Sequence, residues 1–135
     1  MKVKRIKEGK NFKNYYNFLY FDFYNSLDFN NNDFFIVREL NIAGNNIQKI
    51  ENLPEGLEKL KISSNNIQKI ENLPEGLEKL YIFDNKIQKI ENLPEGLKVL
   101  LISKNPLRYI RRRDYNLIKD KKIDCNIDID NLKII

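Results

Sequence analysis

The stretch from Asn45 to Leu60, NNIQKIENLPEGLEKL, returns unchanged from Asn65 to Leu80, and much of it returns again from Ile87 to Leu97. It imposes a period of 20 residues on the middle of the chain. The frames read Leu40-Asn-Ile-Ala-Gly-Asn45, Leu60-Lys-Ile-Ser-Ser-Asn65, Leu80-Tyr-Ile-Phe-Asp-Asn85 and Leu100-Leu-Ile-Ser-Lys-Asn105. Each is followed two places on by an apolar residue: Ile47, Ile67, Ile87 or Leu107. Leu40, Ile42, Ile47, Ile50, Leu53 and Leu57 are the core positions of one unit. A unit this short cannot bury its own apolar face, so the copies must stack, as in a solenoid.

The Leu-x-Ile triplets alternate as short strands, with Leu40 and Ile42 inward and Asn41 outward. Successive copies then pair in parallel. Asn45, Asn65, Asn85 and Asn105 fall where the chain leaves the strand, and an inward amide there can satisfy backbone groups, one copy above another. Pro54, Pro74 and Pro94, each two residues before a Gly, exclude regular helix from the return path.

At these frames, and at the Leu-Pro-x-x-Leu segments beginning at Leu53, Leu73 and Leu93, the chain resembles the leucine-rich repeat family, in its short bacterial type. The resemblance covers about Val37 to Ile110. It implies an α/β leucine-rich repeat fold: a right-handed solenoid with a parallel sheet on its concave side, little regular helix on its convex side, and a cap at each end. It also implies the binding of other proteins. The expected organisation is an aromatic N-terminal cap over 1–36, the array over 37–110 and a C-terminal cap over 111–135.

In the N-terminal part, Phe12, Tyr15, Tyr16, Leu19, Tyr20, Phe23, Tyr24 and Leu27 have the spacing of an amphipathic helix. Leu19, Phe21 and Phe23 also alternate, but helix is the expectation. Asn30 to Asp33 reads as a turn. After the array, Ile123, Cys125, Ile127 and Ile129 alternate with polar residues, which predicts a closing strand whose acids face water.

Charge and composition narrow the function. The formal net charge is +5, but residues 37–97 hold eight Lys/Arg against ten Asp/Glu while 98–135 hold ten against five. With no His, catalytic triads and imidazole metal sites are excluded, and no glycine-rich phosphate loop is present. Neither enzymatic activity nor a cofactor or metal is expected. Cys125 is the single cysteine, which precludes an internal disulfide and fits a reducing, cytoplasmic setting. The basic first residues lack an apolar stretch after them, and no run suits a membrane span. The abundance of Asn, Lys and Ile, without Thr, Trp or His, resembles proteins of AT-rich genomes such as those of large viruses.

The copies differ from one another chiefly at outward strand positions and the turn beside them. These read Glu39, Asn41, Ala43; Lys59, Lys61, Ser63; Lys79, Tyr81, Phe83; and Val99, Leu101, Ser103. Exposed Tyr81 and Phe83 beside Val99 and Leu101, flanked by Lys59, Lys61 and Lys79, have the make-up of a protein-binding patch for an acidic or mixed partner segment. Neutral divergence of solvent-facing positions is the competing explanation. Two other functions stay open: nucleic-acid binding through Arg108, Arg111, Arg112, Arg113, Lys119, Lys121 and Lys122, and self-association through the sheet edges. The expected form is a monomeric interaction module.

Overall fold

The computed structural model describes residues 18–20, 38–51 and 53–135. The chain runs through β1 (Phe18–Tyr20), β2 (Glu39–Asn41), β3 (Lys59–Lys61), β4 (Lys79–Tyr81), β5 (Lys89–Ile90), β6 (Val99–Leu101), β7 (Tyr109–Ile110), α1 (Arg112–Asp120), β8 (Asp124–Cys125) and β9 (Lys133–Ile134). Two parallel sheets result, ordered β1-β2-β3-β4-β6-β8 and β5-β7-β9. The first lies on the concave side of the coil and the second forms part of the return path.

The register repeats the sequence period. Leu40, Leu60, Leu80 and Leu100 stand opposite one another along the large sheet, with Leu19 before them and Cys125 after. Leu40, Ile42, Ile47, Ile50 and Leu57, with their counterparts in the next coil, have no accessible surface. Leu53 was expected to belong to this set but is half-buried, as is Leu73, whereas Leu93 is buried. The difference lies in what packs on the loop: among the described residues, only the third copy is bonded to α1, where the Leu93 N–H donates to Asp114 and the Leu93 carbonyl accepts from Arg113.

The asparagine ladder links each coil to the one before. Asn65 Oδ1 accepts from the N–H groups of Asn45 (2.8 Å) and Ile47 (3.0 Å), while its Nδ2 donates to the carbonyls of Ile42, Ile62 and Ser63. Asn85 and Asn105 accept from Ile67 and Ile87 in the same way. Turning into the ladder requires left-handed backbone one residue earlier. Gly44 has φ +74°, and Ser64, Asp84 and Lys104 adopt φ of 55–56° without glycine's freedom. A second asparagine set, not anticipated from the sequence, lies on the return path. Asn72 and Asn92 also have positive φ, and their Nδ2 groups donate to Ile50 and Ile70 of the preceding coils. The proline segments then turn sharply, with Leu57, Leu77 and Leu97 N–H bonded to the carbonyls of Pro54, Pro74 and Pro94.

Both ends depart from the sequence reading. Over Phe18–Tyr20 the chain is a strand rather than the expected helix. The open edge of β2 offers backbone partners that a helix cannot use, and aromatic residues suit a strand. The remainder of that expected helix, with the turn at 30–33, lies outside the described residues. At the other end, the expected strand over 123–130 is confined to Asp124–Cys125, followed by a 3₁₀ turn at Ile129–Asn131. Side chains end the ladder. Asn126 Oδ1 accepts from the N–H groups of Ile102 and Ser103, and Asp128 accepts from the N–H of Asp130. Ahead of it lies α1, which was not foreseen. Leu117 and Ile118 bury its apolar side in the core.

Candidate functional site

The outward side chains of β2, β3, β4 and β6 form two columns set by the strand register. Glu39, Lys59, Lys79 and Val99 make one; Asn41, Lys61, Tyr81 and Leu101 make the other. Phe83 follows Tyr81 at the turn. The predicted face residues are thus brought together on a single surface, with adjacent strands about 4.8 Å apart.

Its apolar part is less open than the sequence suggested. Tyr81, Phe83, Val99 and Leu101 are half-buried rather than exposed, and Ser63, expected on the same face, is buried with its hydroxyl unpartnered. Packing explains the first point. The side chains of neighbouring strands lie side by side at sheet spacing and cover one another's flanks. Part of each still faces solvent.

Electrostatics concentrate at the boundary between β2, β3 and β4. Glu39 Oε1 lies 3.6 Å from Lys59 Nζ and 3.5 Å from Lys61 Nζ. The same two ammonium groups sit 5.0 and 5.7 Å from the centre of the Tyr81 ring, within cation–π range. One carboxylate therefore serves two lysines that also cover a ring. Lys79 is exposed and has no ion pair among the described residues. Asn41 is occupied locally, its side-chain oxygen accepting from the N–H of Ala43. At the start of the strands, Arg38 pairs with Glu58 and Lys98 with Glu78. The excess positive charge is consequently focused on Lys59, Lys61 and Lys79.

The basic C-terminal residues are disposed differently. Arg111 pairs with Glu91, Arg113 with Glu95 and Asp114, and Lys119 with Asp130. Apart from Arg113–Asp114, which lies within α1, each pair joins α1 or its approach to a neighbouring element. Among the described residues, Arg108, Arg112, Lys121 and Lys122 form no ion pair. Arg112 opens α1, and Lys121 and Lys122 follow its end, about 13 Å away for a helix of nine residues. The predicted patch is split along the helix, with much of its charge compensated.

Asp114 is fully buried, with Oδ1 bonded to the Leu93 N–H and Arg113, and Oδ2 without a partner. Desolvation raises its pKa above the ordinary carboxyl value, against the lowering effect of the Leu93 N–H and the Arg113 charge. Burial likewise raises the pKa of the Cys125 thiol, which disfavours the reactive thiolate. Asp130, by contrast, is held below the usual carboxyl range by hydrogen bonds from Tyr115 and Lys119. No cluster of His, Cys, Asp or Glu suited to a metal occurs among the described residues. A shallow hollow of about 1130 Å³ on the return path, lined in part by Gln68, Gln88, Lys89, Tyr109 and Ile135, contains none of the predicted face residues.

No family model and no curated protein matches the chain. Among solved structures it is similar to YopM from Yersinia enterocolitica WA-314, a leucine-rich repeat protein, with a TM-score of 0.52 and 30% identity. The fold is a leucine-rich repeat solenoid. The match covers 55% of this chain but 16% of YopM, so the chain spans a small part of that protein's length.

Proposed function

We propose that this leucine-rich repeat solenoid, of the short 20-residue bacterial type, is a non-enzymatic module that binds a partner protein on its concave sheet. Tyr81, Phe83, Val99 and Leu101 supply apolar contact. Lys59, Lys61 and Lys79 supply positive charge, and Glu39 and Asn41 border the contact. The residues before 37 and after 110 act as caps, and the protein works as a monomer inside the cell.

The observation that carries this reading is where the copies differ. Their core, asparagine and proline positions repeat, while Asn41, Lys61, Tyr81 and Leu101 differ from one coil to the next on one surface. A constant frame with a varied outward column is suited to selective contact, and aromatic side chains beside cations are frequent anchors in protein interfaces. The split, compensated cations around α1 give less support to nucleic-acid binding.

The test is affinity capture from the native cytosol by the wild type and by the Tyr81→Ala, Phe83→Ala double variant, with circular dichroism to verify folding. Capture of a defined protein by the wild type, lost in a folded double variant, is the expected result. Equal capture by both overturns the assignment of this face.

A further inference from the structure

We infer that the concave face takes an extended peptide segment carrying an acidic side chain and, three residues further, an apolar one, and that Glu39 occupies the place of the acid in the free protein. The inference rests on the proposed protein-binding role and specifies the partner's chemistry. The first argument is charge. Lys59 and Lys61 converge from β3 on the Glu39 carboxylate of β2, at 3.6 and 3.5 Å, while both remain partly open to solvent. Two ammonium groups sharing one carboxylate, with Lys79 in the next strand forming no ion pair among the described residues, leave a positive surplus at this spot. A second carboxylate brought to it is attracted by every one of these charges except Glu39 itself.

The second argument is spacing. The face changes character along the axis of the solenoid, from lysine on β3 to Tyr81 on β4 and then to Leu101 on β6. Lys61 and Leu101 stand two strand spacings apart, about 9.6 Å. An extended peptide in the polyproline II conformation advances about 3.1 Å per residue and returns to the same face every third residue, so three residues cover the interval with both side chains turned to the sheet. A segment laid across the strands thus sets an acid at the lysines and an apolar side chain against Leu101 and Val99. Tyr81 lies beneath its middle, where its ring is already covered by Lys59 and Lys61.

Glu39 gives the face a built-in competitor. An incoming carboxylate must take Lys59 and Lys61 from Glu39 or share them with it, so removing the Glu39 charge strengthens binding. Exposed ion pairs of this kind each alter an equilibrium by up to about fivefold. The expected gain for Glu39→Gln is about threefold to tenfold.

The experiment uses fluorescence anisotropy with a labelled peptide Ser-Glu-Gly-Ser-Leu-Ser, its Gln-for-Glu form, and the wild-type, Glu39→Gln and Lys61→Ala proteins, each verified as folded by circular dichroism. The acidic peptide is expected to bind the wild type, to bind Glu39→Gln more tightly and Lys61→Ala more weakly, and to outbind the Gln form. Equal binding of both peptides, or no binding of either to any variant, overturns the acidic ligand. Binding that is unchanged or weaker in Glu39→Gln overturns the competitor role. Equal displacement of the peptide by a single-stranded oligonucleotide of similar length overturns the peptide assignment in favour of any polyanion. None of these results alters the capture experiment, which reads Tyr81 and Phe83 without assuming an acidic partner.

Discussion

Replacing Asn65 by Ala separates the contribution of the ladder from that of the apolar core. The substitution removes one acceptor for two backbone N–H groups, those of Asn45 and Ile47, and one donor shared by the Ile42, Ile62 and Ser63 carbonyls. The carbonyls are the lesser loss. Ile42 O still accepts from Asn45, Ile62 O from Asn85, and Ser63 O from the N–H of Gly44. The two amides share Asn65 Oδ1 as their acceptor and lie beside buried side chains. At about 1–3 kcal/mol for each buried group left unpaired, Asn65→Ala should cost about 2–6 kcal/mol. Among the described residues Asn105 Oδ1 accepts from one amide, that of Ile87, and Asn105→Ala should cost about half as much. Urea unfolding followed by far-UV circular dichroism measures both, with Asn65→Asp as a partner variant that keeps the acceptor. A cost below about 1 kcal/mol for Asn65→Ala, or one no larger than for Asn105→Ala, would refute the assignment of ladder energy to orphaned amides.

Two further outcomes are expected. Lys104 holds φ +55° where Gly44 occupies the same frame position; relief of left-handed strain should make Lys104→Gly more stable by about 0.5–1 kcal/mol in the same urea assay. Asp114 has its pKa raised by burial, so the folded state binds that proton more tightly than the unfolded state. Its contribution to stability therefore falls as pH rises from the ordinary carboxyl value of 3.8 through the raised folded value. Asp114→Asn should remove that component, and a difference in thermal midpoint between variant and wild type that does not grow across this pH interval would contradict it.

The array was legible because its information is repeated. Leu40, Ile42, Ile47 and Asn45 recur at fixed spacing, and period together with residue type determines both the strand and its inward face. The same redundancy concealed the second asparagine set. Asn72 and Asn92 stand in segments that do not vary, so nothing distinguished a backbone-bonding residue from its neighbours. Its available signal was local: asparagine tolerates left-handed backbone, and each copy precedes Leu-Pro. The ends were harder because each is used once. Phe12 to Leu27 satisfied a helical spacing, but pairing along β2 is a tertiary effect absent from local periodicity. The helix at Arg112–Asp120 was hidden by its arginines, which read as a surface charge run although Arg111 and Arg113 reach back to the third coil. Asp114 in the first turn and the inward pair Leu117 and Ile118 were the available clues. For the candidate face, the sequence indicated which residues share the outward columns, though Ser63 is buried. It could not reveal that Glu39 already holds Lys59 and Lys61, because that contact depends on rotamers across two strands.

The way α1 attaches to the third coil has a consequence for the length of the protein. Arg111, Arg113 and Asp114 engage Glu91, Glu95 and the backbone of Leu93. The same residue types stand at Glu51, Glu55 and Leu53, and again at Glu71, Glu75 and Leu73. The α1 segment is therefore fitted to a motif rather than to a location. Loss or gain of a whole 20-residue unit by recombination between the near-identical copies would present it with an equivalent seat. On that account the sheet would differ by one strand spacing while α1 kept the same groups to hold.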